Sequence, residues 1–169
     1  MMPETVSVLI ALGGNVGDVG GAMQRALDRL HAEPETDVIA VSPVYRTPPW
    51  GLTDQPMFLN ACAELATALP PETLLQRLQA AERGAGRERT TRWGPRTLDI
   101  DMIAYGDLDL GTAELTLPHP RLFERAFVLV PLADIAPGRM IAGTRVREAV
   151  DRTDRTGIEP SDVVLQVPR

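Results

Sequence analysis

Residues 92–103 read Arg-Trp-Gly-Pro-Arg-Thr-Leu-Asp-Ile-Asp-Met-Ile, an arginine-rich loop that runs into a short apolar strand carrying two aspartates. Side chains alternate between the faces of a strand, so Asp99 and Asp101 are predicted to share one face and their apolar neighbours the other. Their α-carbons would lie roughly 6.6 Å apart. Two carboxylates that close repel each other unless a positive charge lies between them, and Mg²⁺ prefers oxygen ligands. A bare Asp-x-Asp pair is more often a solvated strand face, and a magnesium site is the alternative that the surrounding sequence must support.

Arginines are concentrated just before this strand, although the formal net charge of the chain is -6. They are Arg83, Arg87, Arg89, Arg92 and Arg96. The glycines and the proline among them predict a loop rather than a helix. Guanidinium groups match phosphate oxygens in a bidentate way, and aspartates beside them can hold the metal that bridges those oxygens. An arginine loop next to paired aspartates therefore indicates polyphosphate handling.

Composition limits the class of protein. A chain of 169 residues with 44% hydrophobic residues predicts one domain, 1–169, with its core at about 6–137 and a tail, 138–169, of unclear role. The acidic pI of about 4.9 argues against a nucleic-acid or anionic-membrane partner. With no apolar run of membrane-spanning length and no signal-type start, the expectation is a cytoplasmic protein. Cys62, the single cysteine, is expected to be a core residue.

The chain contains no lysine, so all 17 basic side chains counted as lysine or arginine are arginines. This composition excludes a P-loop lysine, a kinase strand lysine and Schiff-base chemistry. If the protein uses ATP, it must bind the phosphates with arginine and metal.

The predicted order of elements is strand, helix, strand, strand, helix, strand, which is typical of an α+β, ferredoxin-like antiparallel sheet with helices packed on it. The expected strands are Val6 to Leu12, Val38 to Tyr45, Phe58 to Ala68 and the aspartate strand from Thr97. The expected helices run from an N-cap at Asp18 to about His31 and from Pro70-Pro71 to the glycines at 84 and 86.

The second half is predicted to add smaller elements. They are a short edge strand at Leu115 to Leu117, a core helix at Ala126 to Ile135 interrupted by Pro131, a short helix after Arg139, and a strand at Val163 to Val167.

Six motifs in order make the chain resemble 6-hydroxymethyl-7,8-dihydropterin pyrophosphokinase, an enzyme family of folate biosynthesis. Besides the Arg-Trp-Gly-Pro-Arg-x-x-Asp-x-Asp run, they are Gly13-Gly14-Asn15, Tyr45-Arg46-Thr47-Pro48-Pro49, residues 54–60, Gly86-Arg87-Glu88-Arg89 and Pro118-His119-Pro120. The resemblance covers about Val6 to Pro137. It implies transfer of diphosphate from ATP to the hydroxymethyl group of the reduced pterin, leaving AMP, with two Mg²⁺ ions and a monomeric enzyme.

The resemblance also implies a pterin site. Its residues are Thr47, Trp50, Phe58, Asn60 and Phe127. Phe58 and Asn60 share a face by the strand period, and a flat heteroaromatic with an amide-like edge suits a stacking ring beside an amide. Taken alone, that pair is more often a core aromatic beside a satisfied polar group, and it is the resemblance that favours the pterin site.

For ATP and the metal ions, the resemblance implies Arg87 and Arg96 as catalytic phosphate-binding arginines, with Asp99 and Asp101 as catalytic metal ligands. The other nucleotide-binding positions that it implies are Gln79, Glu82, Arg89, Arg92, Thr116, His119 and Arg125.

Two alternatives use the same residues differently. A metal-dependent phosphohydrolase would release phosphate from ATP without a pterin. A non-catalytic ferredoxin-like ligand sensor would bind ligand with the aspartate pair incidental.

Overall fold

The structure is a computed structural model that describes residues 4–49, 54–85 and 97–169. The expected sequence of strands and helices is present in its first two thirds. The elements are β1 Val6–Gly14, α1 Val19–His31, β2 Thr36–Val41, β3 Tyr45–Thr47, β4 Phe58–Thr67, α2 Pro71–Gly84 and β5 Asp99–Tyr105. Asp18 caps α1 as predicted, because its Oδ1 accepts a 3.0 Å hydrogen bond from the Gly21 N–H.

The remaining elements are smaller. They are β6 Leu110–Gly111, β7 Thr116–Leu117, a 3₁₀ turn at Leu122–Glu124, α3 Ala126–Ile135, β8 Met140–Ile141, β9 Thr144–Arg145, α4 Val146–Asp151 and β10 Glu159–Pro160. The strand expected at 115–117 pairs with β6 in a separate two-stranded sheet. Among the described residues, none of the helices has the length and apolar composition of a membrane span.

The main sheet has six strands in the part of the chain that the structure describes, in the order β10-β3-β4-β1-β5, with β2 also paired to β4. Every pairing in it is antiparallel. The central strand β1 lies between β4 and β5, which is the ferredoxin-like arrangement. The predicted α+β, ferredoxin-like fold is therefore confirmed.

The strands alternate between two cores on opposite faces of the sheet. On one face, Ile10 of β1, which is fully buried, belongs to a cluster with residues of α1 and α2. On the other face, Leu9 belongs to a cluster with α3 and α4. Cys62 is buried in the second cluster, as expected for a core residue, and its burial raises the pKa of its thiol.

The prediction of one strand at 38–45 was wrong, because the segment forms two strands on the same neighbour. Proline has no backbone N–H, so Pro43 cannot continue a ladder. At the break, the Cys62 N–H donates to Ser42 Oγ at 2.8 Å. This interruption separates β2, which pairs with the far half of β4, from β3, which pairs with its first three residues.

Two further expectations were wrong. Helix α3 continues through Pro131 instead of being interrupted, because one missing N–H costs a single hydrogen bond while its buried side chains hold the helix on the sheet. Residues 163–167 form no strand: Val163 and Leu165 pack in the core with α1, and the side chain of Gln24 hydrogen-bonds to the backbone of Gln166. The tail instead contains the short strands β8, β9 and β10, and the expected short helix is present as α4.

Candidate active site

A cleft opens at the end of the sheet where α3 begins. Its empty volume, including the open mouth, is about 620 Å³. Seven predicted site residues line it: Thr47, Phe58, Asn60, Asp99, Asp101, Arg125 and Phe127. The other lining residues are Ala11, Leu12, Gly13, Pro48 and Val128.

Strand register explains why residues distant in sequence meet in this cleft. Gly13 of β1 is paired with Asn60 of β4 on one side and with Asp99 of β5 on the other. Neighbouring strands lie about 4.8 Å apart, so the α-carbons of Asn60 and Asp99 are separated by roughly 10 Å. Two residues further along the same pairing, Ala11 of β1 is paired with Asp101 of β5. The amide and the two carboxylates therefore stand within the length of one small ligand.

The Asn60 carboxamide is oriented by Thr47. Asn60 Nδ2 donates a 2.7 Å hydrogen bond to Thr47 Oγ1, and both residues are buried, with exposed fractions of 8% and 1%. The carboxamide oxygen lies over the α-carbon of Gly13, where only a glycine leaves room for it. The amide is thus held with its oxygen on the β1 side, available as an acceptor beside the cleft.

Two aromatic rings come to the cleft from different elements. Phe58 begins β4, opposite Thr47 in the β3 pairing, and Phe127 is the second residue of α3. The guanidinium carbon of Arg125 lies 5.8 Å from the centroid of the Phe127 ring, within the range of a cation–π contact. Stacking surfaces of this kind suit a flat aromatic ligand.

The aspartate pair faces the cleft as the strand period predicts, while Ile100 between them is buried in the opposite core. Asp101 Oδ2 lies 3.6 Å from Arg125 Nη1, whose side chain is 15% exposed. No cluster of three or more histidine, cysteine, aspartate or glutamate side chains suited to a metal occurs in the described residues. Two carboxylates fit Mg²⁺ when phosphate and water complete the shell, which is how this ion is usually held.

Glu82 forms a hydrogen bond to the backbone of β5, the strand that carries the two aspartates. Its Oε2 accepts a 2.8 Å hydrogen bond from the Ile100 N–H, the amide between the two aspartates. Glu82 is only 6% exposed. Sequence reasoning expected a nucleotide contact here and missed this backbone contact. A signal for it was present, since Glu82 continues the apolar stripe of Leu74 and Leu78 at a spacing of four.

His119 lies close enough to Asp101 to interact with it electrostatically. Its Nδ1 accepts a 3.1 Å hydrogen bond from the Arg121 N–H, which requires that nitrogen to be unprotonated. Burial lowers the pKa of His119, the carboxylate of Asp101 opposes that shift, and the nearby Arg125 and Arg121 add to it. The imidazole is therefore neutral, and the hydrogen bond from the Arg121 N–H fixes its orientation.

The other predicted positions are placed differently. Gln79 and Thr116 are exposed and do not line the cleft. The predictions for Trp50, Arg87, Arg89, Arg92 and Arg96 lie outside the described residues.

Asn15 is a buried residue to which sequence reasoning gave no role. Its Nδ2 donates to Gln55 Oε1 at 2.9 Å and to the Pro56 carbonyl at 3.0 Å. These bonds join the end of β1 to the segment that leads into Phe58. Its only signal was its place in the Gly-Gly-Asn motif after an apolar strand.

Comparisons with known proteins identify the family of this chain. The family model for 7,8-dihydro-6-hydroxymethylpterin-pyrophosphokinase (HPPK) matches residues 9–137. The chain is similar to the 2-amino-4-hydroxy-6-hydroxymethyldihydropteridine pyrophosphokinases of Methylorubrum extorquens, at 48% identity over 89% of this chain and 95% of the relative, and Pseudomonas aeruginosa, at 45% over 90% and 94%.

Among solved structures, Plasmodium falciparum HPPK-DHPS has the same fold, with a TM-score of 0.69 at 13% identity. The match covers 88% of this chain and 43% of that one, so this chain spans less than half of that protein. The motifs, the cleft and the matches over most of the sequence lead to one assignment: the chain belongs to the 7,8-dihydro-6-hydroxymethylpterin-pyrophosphokinase family.

Proposed function

We propose that this protein transfers diphosphate from ATP to 6-hydroxymethyl-7,8-dihydropterin, producing AMP and the pterin diphosphate in folate biosynthesis. The observation that carries the proposal is the meeting, in one cleft, of an oriented amide, two aromatic rings and a pair of carboxylates. The first two features suit a pterin and the third suits a metal-bound polyphosphate. Family membership favours this activity over the phosphohydrolase and the ligand sensor.

The pterin is proposed to bind against Phe58 and Phe127, with its edge at Asn60. The carboxamide oxygen of Asn60 would accept a hydrogen bond from the N–H edge of the pterin, because its nitrogen is already engaged with Thr47. A pterin that lacked this complementary edge would leave a buried polar group unpaired, so the contact provides specificity as well as affinity.

Asp99 and Asp101 are proposed to hold two Mg²⁺ ions. When bound, these ions would neutralise phosphate charge and make the β-phosphorus more electrophilic. Arg125, which already lies beside Asp101, would add fixed positive charge on the pterin side of the phosphates. Arg87 and Arg96 are proposed to bind the phosphates from the loop that precedes β5.

In the reaction, the pterin hydroxyl oxygen forms a bond to the β-phosphorus while the bond from that phosphorus to the oxygen shared with the α-phosphate breaks. The electron pair leaves with AMP, and the hydroxyl proton passes to water or a phosphate oxygen. No described side chain is assigned as a general base, since His119 Nδ1 is occupied by the Arg121 N–H. Catalysis would then depend on alignment and charge stabilisation.

We further propose a single domain that acts as a monomer in the cytoplasm. This assignment is supported by the family resemblance.

The direct test is AMP formation from ATP and Mg²⁺ with and without 6-hydroxymethyl-7,8-dihydropterin. AMP that appears only with the pterin supports the proposal. Phosphate released without the pterin would indicate a hydrolase, and tight binding without turnover would indicate a ligand-binding module.

The aspartate pair is tested with Asp99→Asn and Asp101→Asn against Asp109→Asn, an exposed aspartate outside the cleft. Both cleft variants should lose at least about a hundredfold in kcat, because each removes one metal-binding carboxylate. The Asp109 variant should keep wild-type turnover. Retained turnover in either cleft variant would overturn the metal assignment.

A further inference from the structure

Residues 157–166, here called the C-terminal strap, follow the family match at 9–137 and run along the outer edge of β3. The first part of the strap lies along β3 and the last part lies on α1. Nothing in the proposed chemistry uses it, yet it contacts the strand that carries Thr47.

The strap closes the outer edge of β3. Strand β10 pairs antiparallel with β3, with Glu159 opposite Arg46 and Pro160 opposite Tyr45. Just beyond, the Ser161 N–H donates to the Val44 carbonyl at 2.9 Å. Because β3 has only three residues, it depends on both neighbours, β4 and the strap, for its position. The Arg46–Glu159 ion pair is exposed and contributes little by itself.

At the start of the strap, Gly157 packs against Pro48, the residue after Thr47. Gly157 has φ +83°, a left-handed conformation that favours glycine. A β-carbon at this position would lie 2.8 Å from Pro48 Cγ. Pro48 lines the cleft, so the strap touches the back of a cleft residue directly.

The far end of the strap is anchored on α1. Val163 packs over Gly20, where an added β-carbon would lie 2.7 Å from Val163 Cγ1, and Leu165 is buried in the core. Gln24 makes two hydrogen bonds to the backbone of Gln166, donating from Nε2 to the carbonyl at 3.0 Å and accepting at Oε1 from the N–H at 2.8 Å. The strap is thus fixed at both ends.

We propose that the C-terminal strap is a positioning element for the pterin side of the cleft. It fixes the positions of β3 and Pro48, and so keeps Thr47 Oγ1 within hydrogen-bond distance of Asn60 Nδ2. Thr47 is 1% exposed and accepts the Asn60 bond at 2.7 Å, so a small shift of β3 would release the amide. This inference rests on the proposed function, and it assigns to the strap an effect on pterin binding and none on ATP binding.

The first test compares Gly157→Ala with Gly143→Ala. Both glycines lie in the tail with nearly the same left-handed φ, +83° and +82°, but a β-carbon at 143 meets no atom within 4 Å. The backbone strain is therefore matched and only the contact with Pro48 differs. Gly157→Ala should raise the KM and Kd for the pterin by about three- to tenfold, the size of one weakened hydrogen bond. Its KM for ATP should match that of Gly143→Ala, which should keep the wild-type pterin KM.

The second test weakens the contact between the far end of the strap and α1. It replaces the first test if the Gly157→Ala protein does not fold. Val163→Ala removes packing on α1, whereas Val164→Ala changes the adjacent residue, which is 76% exposed. Val163→Ala should raise the pterin KM and Val164→Ala should not. Equal pterin KM values within each pair, or a rise in the ATP KM as large as the rise in the pterin KM, would overturn the positioning role.

The wild-type protein in the same assay separates the two proposals. If it forms AMP only with the pterin while both variant pairs behave alike, the function stands and the strap proposal fails. If it forms no AMP with the pterin, the proposed function fails, and unchanged pterin Kd values in the variants would reject the strap proposal independently.

Discussion

Gly13 and Asn60 lie opposite each other in the β1–β4 pairing, and the Asn60 carboxamide oxygen occupies the space that a β-carbon on Gly13 would need. Gly13 belongs to a strand and has no positive φ, so backbone freedom is not the reason for a glycine here. The reason is the side chain on the neighbouring strand. Gly13 is therefore part of the amide site although it has no functional group.

Gly13→Ala should displace the Asn60 carboxamide and raise the pterin KM by at least about tenfold, because the oriented acceptor is lost. The KM for ATP should change little. Steady-state kinetics with each substrate varied in turn measure both values.

Gly111→Ala is the matched control, since Gly111 also lies in a strand and an added β-carbon there meets no atom within 4 Å. The role assigned to Gly13 would be refuted by pterin KM values that are the same in the two variants.

Thr47→Val should weaken pterin binding by removing the acceptor that orients Asn60 Nδ2. A buried donor left unsatisfied costs about 1–3 kcal/mol, so the free energy of unfolding should fall by a similar amount. Thr47→Ser keeps the hydroxyl and should retain most of the pterin affinity. Calorimetric titration with the pterin and chemical denaturation provide the two readouts, and equal pterin Kd values for the Val and Ser variants would contradict this account.

Local patterns in the sequence were sufficient to predict the fold and the face of the aspartate pair. The alternation from Thr97 requires Asp99 and Asp101 on one face, and the structure has both at the cleft. Asp18 and Pro71 likewise mark helix starts through local chemistry that does not depend on the rest of the chain. These features could be predicted from the sequence because each depends on residues that lie within a few positions of one another.

Features that depend on the register between strands could not be predicted from the sequence. The pairing of Gly13 with Asn60, and of the tail with β3, is set by contacts across the sheet that no periodicity encodes. Val163 to Val167 has the composition of a strand, but the available edge was already paired with Glu159 and Pro160, and the valine segment reached α1 instead. The tertiary environment overrode strand propensity there.

Glu82→Ala should destabilise the protein by about 1–3 kcal/mol, because the Ile100 N–H loses its buried acceptor. Since that amide lies between Asp99 and Asp101, kcat should fall as well. Glu82→Gln retains an acceptor oxygen and should recover part of both losses.

Gln76→Ala, an exposed change on the same helix, controls for helix propensity in the Glu82 comparison. Denaturant titrations and turnover assays on the three variants test the assignment. A Glu82→Ala protein as stable and active as Gln76→Ala would show that the Ile100 bond has no role.

His119 should make the stability of the metal-free, ligand-free protein depend on pH. Its folded-state pKa is lowered, chiefly by burial, from the ordinary value of 6.5. As the pH falls below 6.5, the unfolded chain therefore takes up a proton that the folded chain does not, and the free energy of unfolding decreases by up to about 1.4 kcal/mol per pH unit. This contribution is fully present above pH 6.5 and is lost as the pH falls through the folded-state pKa.

Denaturant titrations between pH 7.5 and 5 measure this dependence. The free energy of unfolding should decline more steeply for the wild type than for His119→Gln, which cannot titrate. Parallel curves for the two proteins would show that the burial of His119 is not linked to stability.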